Sequence, residues 1–79
     1  MSSFDELYVP IGFVIRAHRK QARQTLTDTA IRAGISKGFL SKIESGNVKN
    51  PTLKTLIGLA YALSVPLSEI VENWERKKI

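Results

Sequence analysis

The side chains best suited to bind another molecule lie in the middle of the chain. Lys37, Ser41 and Lys42 fall on one side of a predicted short helix, and Leu40 and Ile43 fall on the other. Ammonium and hydroxyl groups can donate hydrogen bonds to phosphates and to the edges of bases. A short helix that is polar and cationic on its outer side, and held at an angle by a helix before it, is suited to the major groove of DNA.

The helix before it has a defined start and a defined end. Thr25, with Asp28 three residues later, resembles a capping box that opens a helix over about 26–33. Gly34 then supplies the left-handed residue that follows a helix end, a conformation that a Cβ atom disfavours. The sequence therefore predicts a tight turn at Gly34 between the two helices.

The second helix of the pair is bounded by the same kinds of residue. Ser36 is expected to cap it, the helix is expected to cover 37–45, and Gly46 is expected to end it. The segment 47–50 is then predicted to be a loop. Together the two helices predict a helix-turn-helix unit.

Three further helices are predicted from apolar residues at three-and-four spacing. The first begins near Pro10, which suits a first helical turn, and runs to about Arg23. The fourth follows 51–52, and the fifth spans about 67–78 with Ser68 as its cap. The expected buried stripes are Ile11, Val14 (or Ile15) and His18 or Ala22 on the first, Leu53, Leu56, Ile57, Ala60 and Leu63 (or Leu59) on the fourth, and Leu67, Ile70, Val71 and Trp74 on the fifth. The predicted fold is all-α, a compact bundle of five helices.

Length and composition limit the possible functions. The 79 residues suit one domain over 1–79, with a core over about 10–72 and an N-terminal extension over 1–9. The chain has no cysteine, which excludes disulfides and a Cys-based zinc site. No apolar run approaches the roughly 20 residues of a membrane span, and the polar, acidic start is unlike a signal peptide. We therefore expect a cytoplasmic protein without a membrane partner.

The positive charge is concentrated where the helix-turn-helix pattern lies. Residues 16–54 hold nine Lys and Arg against two acidic residues, a net charge of +7, whereas the two ends hold three cations against five carboxylates. A face that binds a polyanion requires such a concentration. A solvated, soluble surface is the simpler interpretation of charge alone, and nucleic acid is favoured over it.

From Ile11 to Ile70 the chain resembles the phage repressor and Cro-type helix-turn-helix family, also called the XRE family. The matching residues are Ile11-Gly12, Ile15-Arg16 with Arg19, Thr25-Leu26, Ala30, Gly34-Ile35-Ser36, Phe39-Leu40-Ser41-Lys42-Ile43-Glu44, Gly46, Asn50-Pro51-Thr52-Leu53, Leu56, Ala60, Leu63 and Val65. This ordered set is far more specific than a lone helix-turn-helix pattern. It implies a lambda-repressor-like domain that regulates transcription. Small chains of this type resemble phage or plasmid repressors and the controller proteins of restriction–modification systems.

The resemblance also implies how DNA would be contacted. The helix over 37–45 would be the recognition helix, with base contacts from Lys37, Gly38, Ser41 and Lys42. Contacts to the DNA backbone would come from Thr25, Thr27, Ser36, Phe39, Ser45, Asn47, Lys49 and Asn50. Phe39 has a second possible role, which is to cover the junction between the two helices.

Two pairs of residues have structural implications within the resemblance. Arg19 and Glu44 match an ion pair that ties the first helix to the end of the recognition helix. Thr29 stands where the family usually has Leu, and Ile31 stands where it usually has a polar residue. Either the register of the second helix is shifted, or Ile31 packs on something unusual such as a neighbouring subunit.

Catalysis has little support in this sequence, and we expect no enzyme. The single histidine, His18, lies beside two cations on the first helix, and packing is a better explanation for it than a role as base or ligand. Glu69, Glu72 and Glu75 recur every three residues, as on a solvated helix face. No cofactor, metal or small-molecule ligand is therefore expected.

Two functional hypotheses remain. In the first, the protein binds a pseudo-palindromic operator as a homodimer whose interface includes Ile70, Val71 and Trp74, with regulation set by concentration and operator affinity because no second domain is expected. In the second, the fold is a protein-interaction module, antitoxin- or anti-repressor-like, without sequence-specific DNA binding. Its support is the apolar material at the two ends, namely Phe4, Leu7, Tyr8, Val9, Trp74 and Ile79.

Overall fold

The computed structural model describes residues 10–75, and these residues form five helices with no strand among them. The helices are α1 (Ile11–Gln21), α2 (Leu26–Ala33), α3 (Lys37–Glu44), α4 (Leu53–Leu63) and α5 (Leu67–Glu75). The predicted all-α, five-helix fold is confirmed. The N-terminal extension over 1–9 and the predicted end of the fifth helix over 76–78 lie outside the described residues.

Helix α1 ends earlier than predicted. Its last residue is Gln21, two residues before Arg23, because Arg23 adopts a left-handed conformation with φ +58° that a right-handed helix cannot include. The predicted inner stripe is buried and includes both Val14 and Ile15. Of the two alternatives for its last member, His18 is the buried one and Ala22 is exposed.

The predicted caps of α2 and α3 are present. The Thr25 hydroxyl accepts from the Asp28 amide at 3.0 Å, and the Thr25 amide donates to the Asp28 carboxylate at 3.2 Å, which completes a capping box. Gly34 ends α2 with φ +75°. The Ser36 hydroxyl accepts at 3.0 Å from the amide of the third residue of α3. Sequence therefore places this helix pair accurately.

The core lies where all five helices meet. Five large aliphatic side chains have no exposed surface, and they come from four different helices: Ile15, Leu40, Ile43, Leu59 and Ile70. Partly buried residues from the loops, such as Val48 and Val65, close the cluster. Helix α3 therefore contributes two of the most deeply buried side chains, which fixes its inner side on the bundle.

The predicted inner face of α4 is partly wrong. Leu53 and Ile57 were assigned to the core, but they are 62% and 51% exposed. The closest neighbour of α4 is α2, and Gly58 makes this approach possible, since a Cβ atom there would lie 2.7 Å from the carbonyl oxygen of Ala33. The contact at Gly58 rotates Leu53 and Ile57 toward solvent.

Helix α5 begins one residue before its predicted cap. Because Leu67 is already helical, Ser68 lies inside the first turn and is not the cap, and the amide of Glu69 donates to the carbonyl of Pro66 at 3.0 Å. In the described part of the chain, no single helix is long and apolar enough to cross a bilayer. Only α4 and α5 taken together as a pair bent by 112° reach that length and hydropathy.

Candidate nucleic-acid interface

The outer side of α3 is polar, exposed and continuous. Leu40 and Ile43 have no exposed surface and hold the inner side of the helix in the core. The opposite side presents the four residues predicted to contact bases, all of them exposed: Lys37, Gly38, Ser41 and Lys42. A Cβ atom on Gly38 would have no neighbour within 4 Å, so the space beside Gly38 is open. The structure thus brings these four residues together on one accessible face.

The start of α2 forms a second exposed polar site. Thr25 and Thr27 are both exposed, and the first amides of a helix have no partner within it. The carboxylate of Asp28 lies at the same helix end. Hydrogen bonds from the Thr25 backbone N–H and then from its hydroxyl lower the pKa of Asp28. Asp28 is therefore ionised near neutral pH and offsets part of the positive potential that this terminus offers a phosphate.

The loop after α3 is folded back onto the helix end. The amides of Asn47 and Val48 both donate to the carbonyl of Lys42, at 2.9 and 3.1 Å, and Gly46 permits the turn with φ +89°. Val48 packs against the core. The predicted backbone-contacting residues of this region are all exposed: Ser45, Asn47, Lys49 and Asn50. The loop is therefore held against the end of α3 as far as Val48.

Two predicted backbone-contacting residues also have structural roles. Ser36 caps α3 through its side-chain oxygen, which still leaves its hydroxyl hydrogen able to donate. Phe39 is half-buried and packs against the core cluster. The buried part of Phe39 is therefore not available to DNA.

An ion pair fixes the far end of α3. Arg19 on α1 donates to the two carboxylate oxygens of Glu44 from Nε at 2.7 Å and from a terminal nitrogen at 3.0 Å. Its other terminal nitrogen donates to the carbonyl of Gln24 at 2.9 Å. The side chains of the pair are only 12% and 8% exposed, and hydrogen bonding to Glu44 raises the pKa of Arg19. The predicted pair is therefore present, and it joins α1, the start of α2 and α3.

A close backbone contact supports the same junction, and it was not among the contacts predicted from the sequence. The backbone of Gly12 lies against the carbonyl oxygen of Ile43, so closely that a Cβ atom on Gly12 would overlap it. Gly12 is within α1, where glycine is unfavourable unless its lack of a side chain is needed. The sequence signal for this close contact is an isolated glycine inside a helical pattern.

The unusual Thr29 is explained by a partly buried hydrogen-bond chain. Thr29 has no exposed surface, so the register of α2 is not shifted. Its hydroxyl donates to the side-chain oxygen of Gln24 at 2.6 Å, and the Gln24 amide donates to the carbonyl of Ala62 on α4 at 3.0 Å. Ile31 is 73% exposed, which leaves a contact outside this chain as the remaining interpretation of that residue.

The three residues predicted at the dimer interface differ in burial, and the prediction is wrong for one of them. Ile70 has no exposed surface, because it faces the core, and it cannot contact a second subunit. Val71 and Trp74 are half-buried, and Trp74 packs against the core cluster. Helix α5 therefore has less apolar surface to offer than its sequence indicates.

His18 has a packing role, as predicted. It is 8% exposed, its Nε2 lies 3.1 Å from the side-chain amide nitrogen of Asn73, and its Nδ1 lies 3.8 Å from the Glu69 carboxylate. The side-chain amide of Asn73 is thus within hydrogen-bond distance of the imidazole. His18 therefore connects α1 to α5.

Comparison with known proteins agrees with this geometry. Residues 15–70 match the profile of the family described as Helix-turn-helix. The chain belongs to this family. The matched residues contain α2, α3, the loop after α3 and α4, and they include every residue predicted to contact DNA.

Family relatives and solved structures extend the agreement. The HTH-type transcriptional regulator SlrR of Bacillus subtilis is 37% identical over 62 residues, which cover 78% of this chain and 41% of SlrR. The immunity repressor protein of Bacillus phage phi105 is 38% identical over 61 residues, covering 77% of this chain and 42% of the repressor. The chain thus spans about half the length of the curated relatives it matches, which are transcriptional regulators and not enzymes.

Two solved structures have the same arrangement of helices. The biofilm master regulator SinR in complex with DNA superposes with a TM-score of 0.73 at 31% identity, over 77% of this chain and 97% of that one. A variant of the restriction-modification controller protein C.Esp1396I superposes with a TM-score of 0.75 at 27% identity, over 85% and 86%.

Proposed function

We propose that this protein is a sequence-specific DNA-binding transcriptional regulator that acts on the nucleoid in the cytoplasm. It inserts α3 into the major groove, and it binds a pseudo-palindromic operator as a homodimer. The observation that carries the proposal is the outer side of α3, where four exposed polar or small residues lie opposite two fully buried ones. The relatives SlrR and the phage immunity repressor regulate transcription, and the structure of SinR contains DNA.

Within the proposal, α3 supplies the sequence specificity. Lys37 and Lys42 donate to acceptors such as guanine O6 and N7, and Ser41 donates or accepts. Gly38 has no side chain to contact a base, but its open surroundings permit close approach of the backbone to base edges. One good contact of this kind discriminates between bases by about 1–3 kcal/mol.

Contacts to the DNA backbone orient the protein without selecting sequence. We assign this role to Thr25 and Thr27 at the start of α2, together with Ser36 and the exposed part of Phe39. The second group is the exposed loop after α3, with Ser45, Asn47, Lys49 and Asn50. Each phosphate that is neutralised releases counterions, so binding weakens steeply with salt.

The ion pair between Arg19 and Glu44 acts on DNA binding through the angle of α3. Because Arg19 also holds the carbonyl of Gln24, the same guanidinium fixes the entry to α2. The two helices of the unit are therefore positioned from one point on α1. Loss of this contact is expected to weaken operator binding without removing any group that touches DNA.

A binding-site selection with randomised duplexes tests the proposal. Sequencing of the retained DNA is expected to show two inverted half-sites whose centres lie about one turn, ~34 Å, apart. A single half-site in the retained sequences would contradict the homodimer. Retained DNA without any common sequence would contradict specific recognition and favour the protein-interaction module.

A further inference from the structure

Gln24, in the turn between α1 and α2, connects four of the five helices. Its carbonyl accepts from Arg19 on α1 at 2.9 Å, and the same guanidinium holds Glu44 on α3. Its side-chain oxygen accepts from Thr29 on α2 at 2.6 Å, and its side-chain nitrogen donates to the carbonyl of Ala62 on α4 at 3.0 Å. Gln24 therefore joins α1, α2 and α4 directly, and α3 through Arg19.

The residue before Gln24 has a strained backbone. Arg23 is left-handed with φ +58°, a conformation that a residue with a Cβ atom adopts only at an energetic cost. The amide of Arg23 donates to the carbonyl of Lys20 at 3.0 Å, and the amide of Gln24 donates to the carbonyl of Arg19 at 3.1 Å. Glycine is the usual left-handed residue in this helix ending. A strained residue persists only where its surroundings hold it, and the contacts of Gln24 are such surroundings.

The strained turn lies directly before the phosphate-contacting end of α2. Gln24 is followed by Thr25, the cap of α2, and both Thr25 and Thr27 are exposed. These two residues are the ones that we assign to DNA backbone contacts at this helix end. A change of the turn at Arg23 would therefore move the start of α2 relative to α3.

We propose that Gln24 is a positioning residue for DNA binding. Its hydrogen bonds hold the turn at Arg23 in the strained conformation, so that the Thr25 hydroxyl and the first amides of α2 are in place for a phosphate while α3 lies in the groove. The inference rests on the proposed function and adds to it a residue that does not touch DNA. Such pre-organisation lowers the conformational cost of binding.

The polar character of the contact between Gln24 and Thr29 is central to this role. Thr29 has no exposed surface and Gln24 is half-buried, so two apolar side chains could fill the same space. Burial of apolar groups is non-directional, whereas a hydrogen bond requires a defined distance and angle. A hydrogen-bonded pair that also reaches Ala62 therefore favours one position of α2 on α4, where an apolar pair would accept several.

The first test removes the side-chain hydrogen bonds. In Gln24→Met, Thr29 loses its acceptor, and the carbonyl of Ala62 keeps only its 3.5 Å contact with Arg32. We expect the dissociation constant for the selected operator, measured by fluorescence anisotropy, to rise about tenfold. Gln21→Met is the matched control, because it makes the same exchange at an exposed residue of α1 and should leave the affinity unchanged.

A double variant separates positioning from stability. Gln24→Met/Thr29→Val replaces both hydrogen-bonding partners by apolar groups of similar shape, a change that can be nearly neutral for stability. Urea unfolding should therefore place the double variant closer to wild type than Gln24→Met. Its operator binding should nevertheless remain weak. Recovery of operator affinity together with stability would overturn the inference, because Gln24 would then have a structural role alone.

The strain at Arg23 is tested by a double-mutant cycle. Arg23→Gly removes the strain, since glycine adopts the left-handed conformation without cost. Gln24→Met should weaken operator binding about tenfold in the presence of Arg23, and clearly less in the background of Arg23→Gly. The cycle cancels the effect of the lost arginine charge. Equal losses in the two backgrounds would overturn the assignment of Gln24 as the residue that holds this turn.

A local measurement on the DNA identifies which contacts are lost. Neutral methylphosphonate linkages replace the operator phosphates one at a time, and Thr27→Val and Lys49→Gln identify the phosphates that face α2 and the loop after α3. Gln24→Met/Thr29→Val should become insensitive to replacement at the phosphates facing α2, but stay sensitive at those facing the loop. Equal loss of sensitivity at both sets would overturn the inference.

The same titrations distinguish failure of this inference from failure of the proposed function. If wild type prefers the operator and Gln24→Met binds it equally well, the inference is overturned and the proposed function stands. If wild type binds no duplex even at low salt, the proposed function is overturned, and the inference with it.

Discussion

Gly12 on α1 lies in backbone contact with the carbonyl oxygen of Ile43, near the end of α3. Seven residues later on the same helix, Arg19 holds Glu44, the residue that follows Ile43. A backbone contact and an ion pair thus fix the same end of α3 to α1. Helix α3 is therefore anchored at its far end, and the residues at its start are exposed.

Gly12→Ala is expected to destabilise the protein. The added methyl group would overlap the backbone oxygen of Ile43, which cannot move without displacing α3. Overpacking of a closely packed site costs about 1–3 kcal/mol, and a clash with backbone lies at the upper end. Urea unfolding followed by circular dichroism measures the change. Gly38→Ala is the control, because that methyl group meets nothing within 4 Å and alanine favours the helix, so stability should not fall.

Removal of one partner from the Arg19–Glu44 pair is expected to cost more than removal of both. Arg19→Met leaves a nearly buried carboxylate without its partner, and Glu44→Leu leaves the guanidinium in the same condition. Each single change should lower the free energy of unfolding by about 3 kcal/mol. A double-mutant cycle should show that the double variant loses clearly less than the sum of the two losses. Additive losses would indicate that the pair does not couple α1 to α3.

Thr29→Val is expected to destabilise α2 against α4 although the side-chain shape is kept. The Gln24 side-chain oxygen would lose its 2.6 Å donor in a partly buried place. An unsatisfied buried acceptor costs about 1–3 kcal/mol. Thermal unfolding should therefore show a lower midpoint for Thr29→Val. Thr27→Val, on the exposed side of the same helix, should change the midpoint little; equal effects of the two would argue against the hydrogen-bond chain.

The capping box predicts a pH dependence at acidic pH. Hydrogen bonds from Thr25 lower the pKa of Asp28 in the folded state. A group with a lowered folded pKa contributes stability above its unfolded pKa, ~3.9, and loses it as pH falls through the folded value. Compared with Asp28→Asn by urea unfolding, wild type should have an advantage at pH 6 that shrinks below about pH 4. An advantage that grows toward acid would contradict the cap.

The helix-turn-helix unit could be predicted from sequence because its signals are local. Thr25, Ser36 and Gly34 each act on their own neighbours, so residue type and spacing are sufficient. The outer side of α3 follows from the same periodicity. The pairing of Arg19 with Glu44 spans 25 residues, and only the family resemblance indicated it.

The rest depended on packing that no local pattern specifies. On α4 nearly every residue is apolar, so periodicity could not distinguish the face that meets α2 from the face with Leu53 and Ile57. The contact of Gly58 with Ala33 decides this orientation. On α5, Ile70 is fully buried in the core, so the predicted dimer interface lacks one of its three residues. The exposed row on α4 became visible only when burial was known.

The central claim is that the outer side of α3 discriminates between DNA sequences. Its direct test is the ratio of affinities for the selected operator and a random duplex, measured by fluorescence anisotropy from about 50 to about 200 mM salt. Wild type should bind both more weakly as salt rises and should prefer the operator. The double variant Lys37→Gln/Lys42→Gln should lose most of this preference. Lys20→Gln on α1 should lower the affinity for both duplexes and leave the preference for the operator unchanged. An unchanged preference in the double variant, or no binding to any duplex at the lowest salt, would contradict the account.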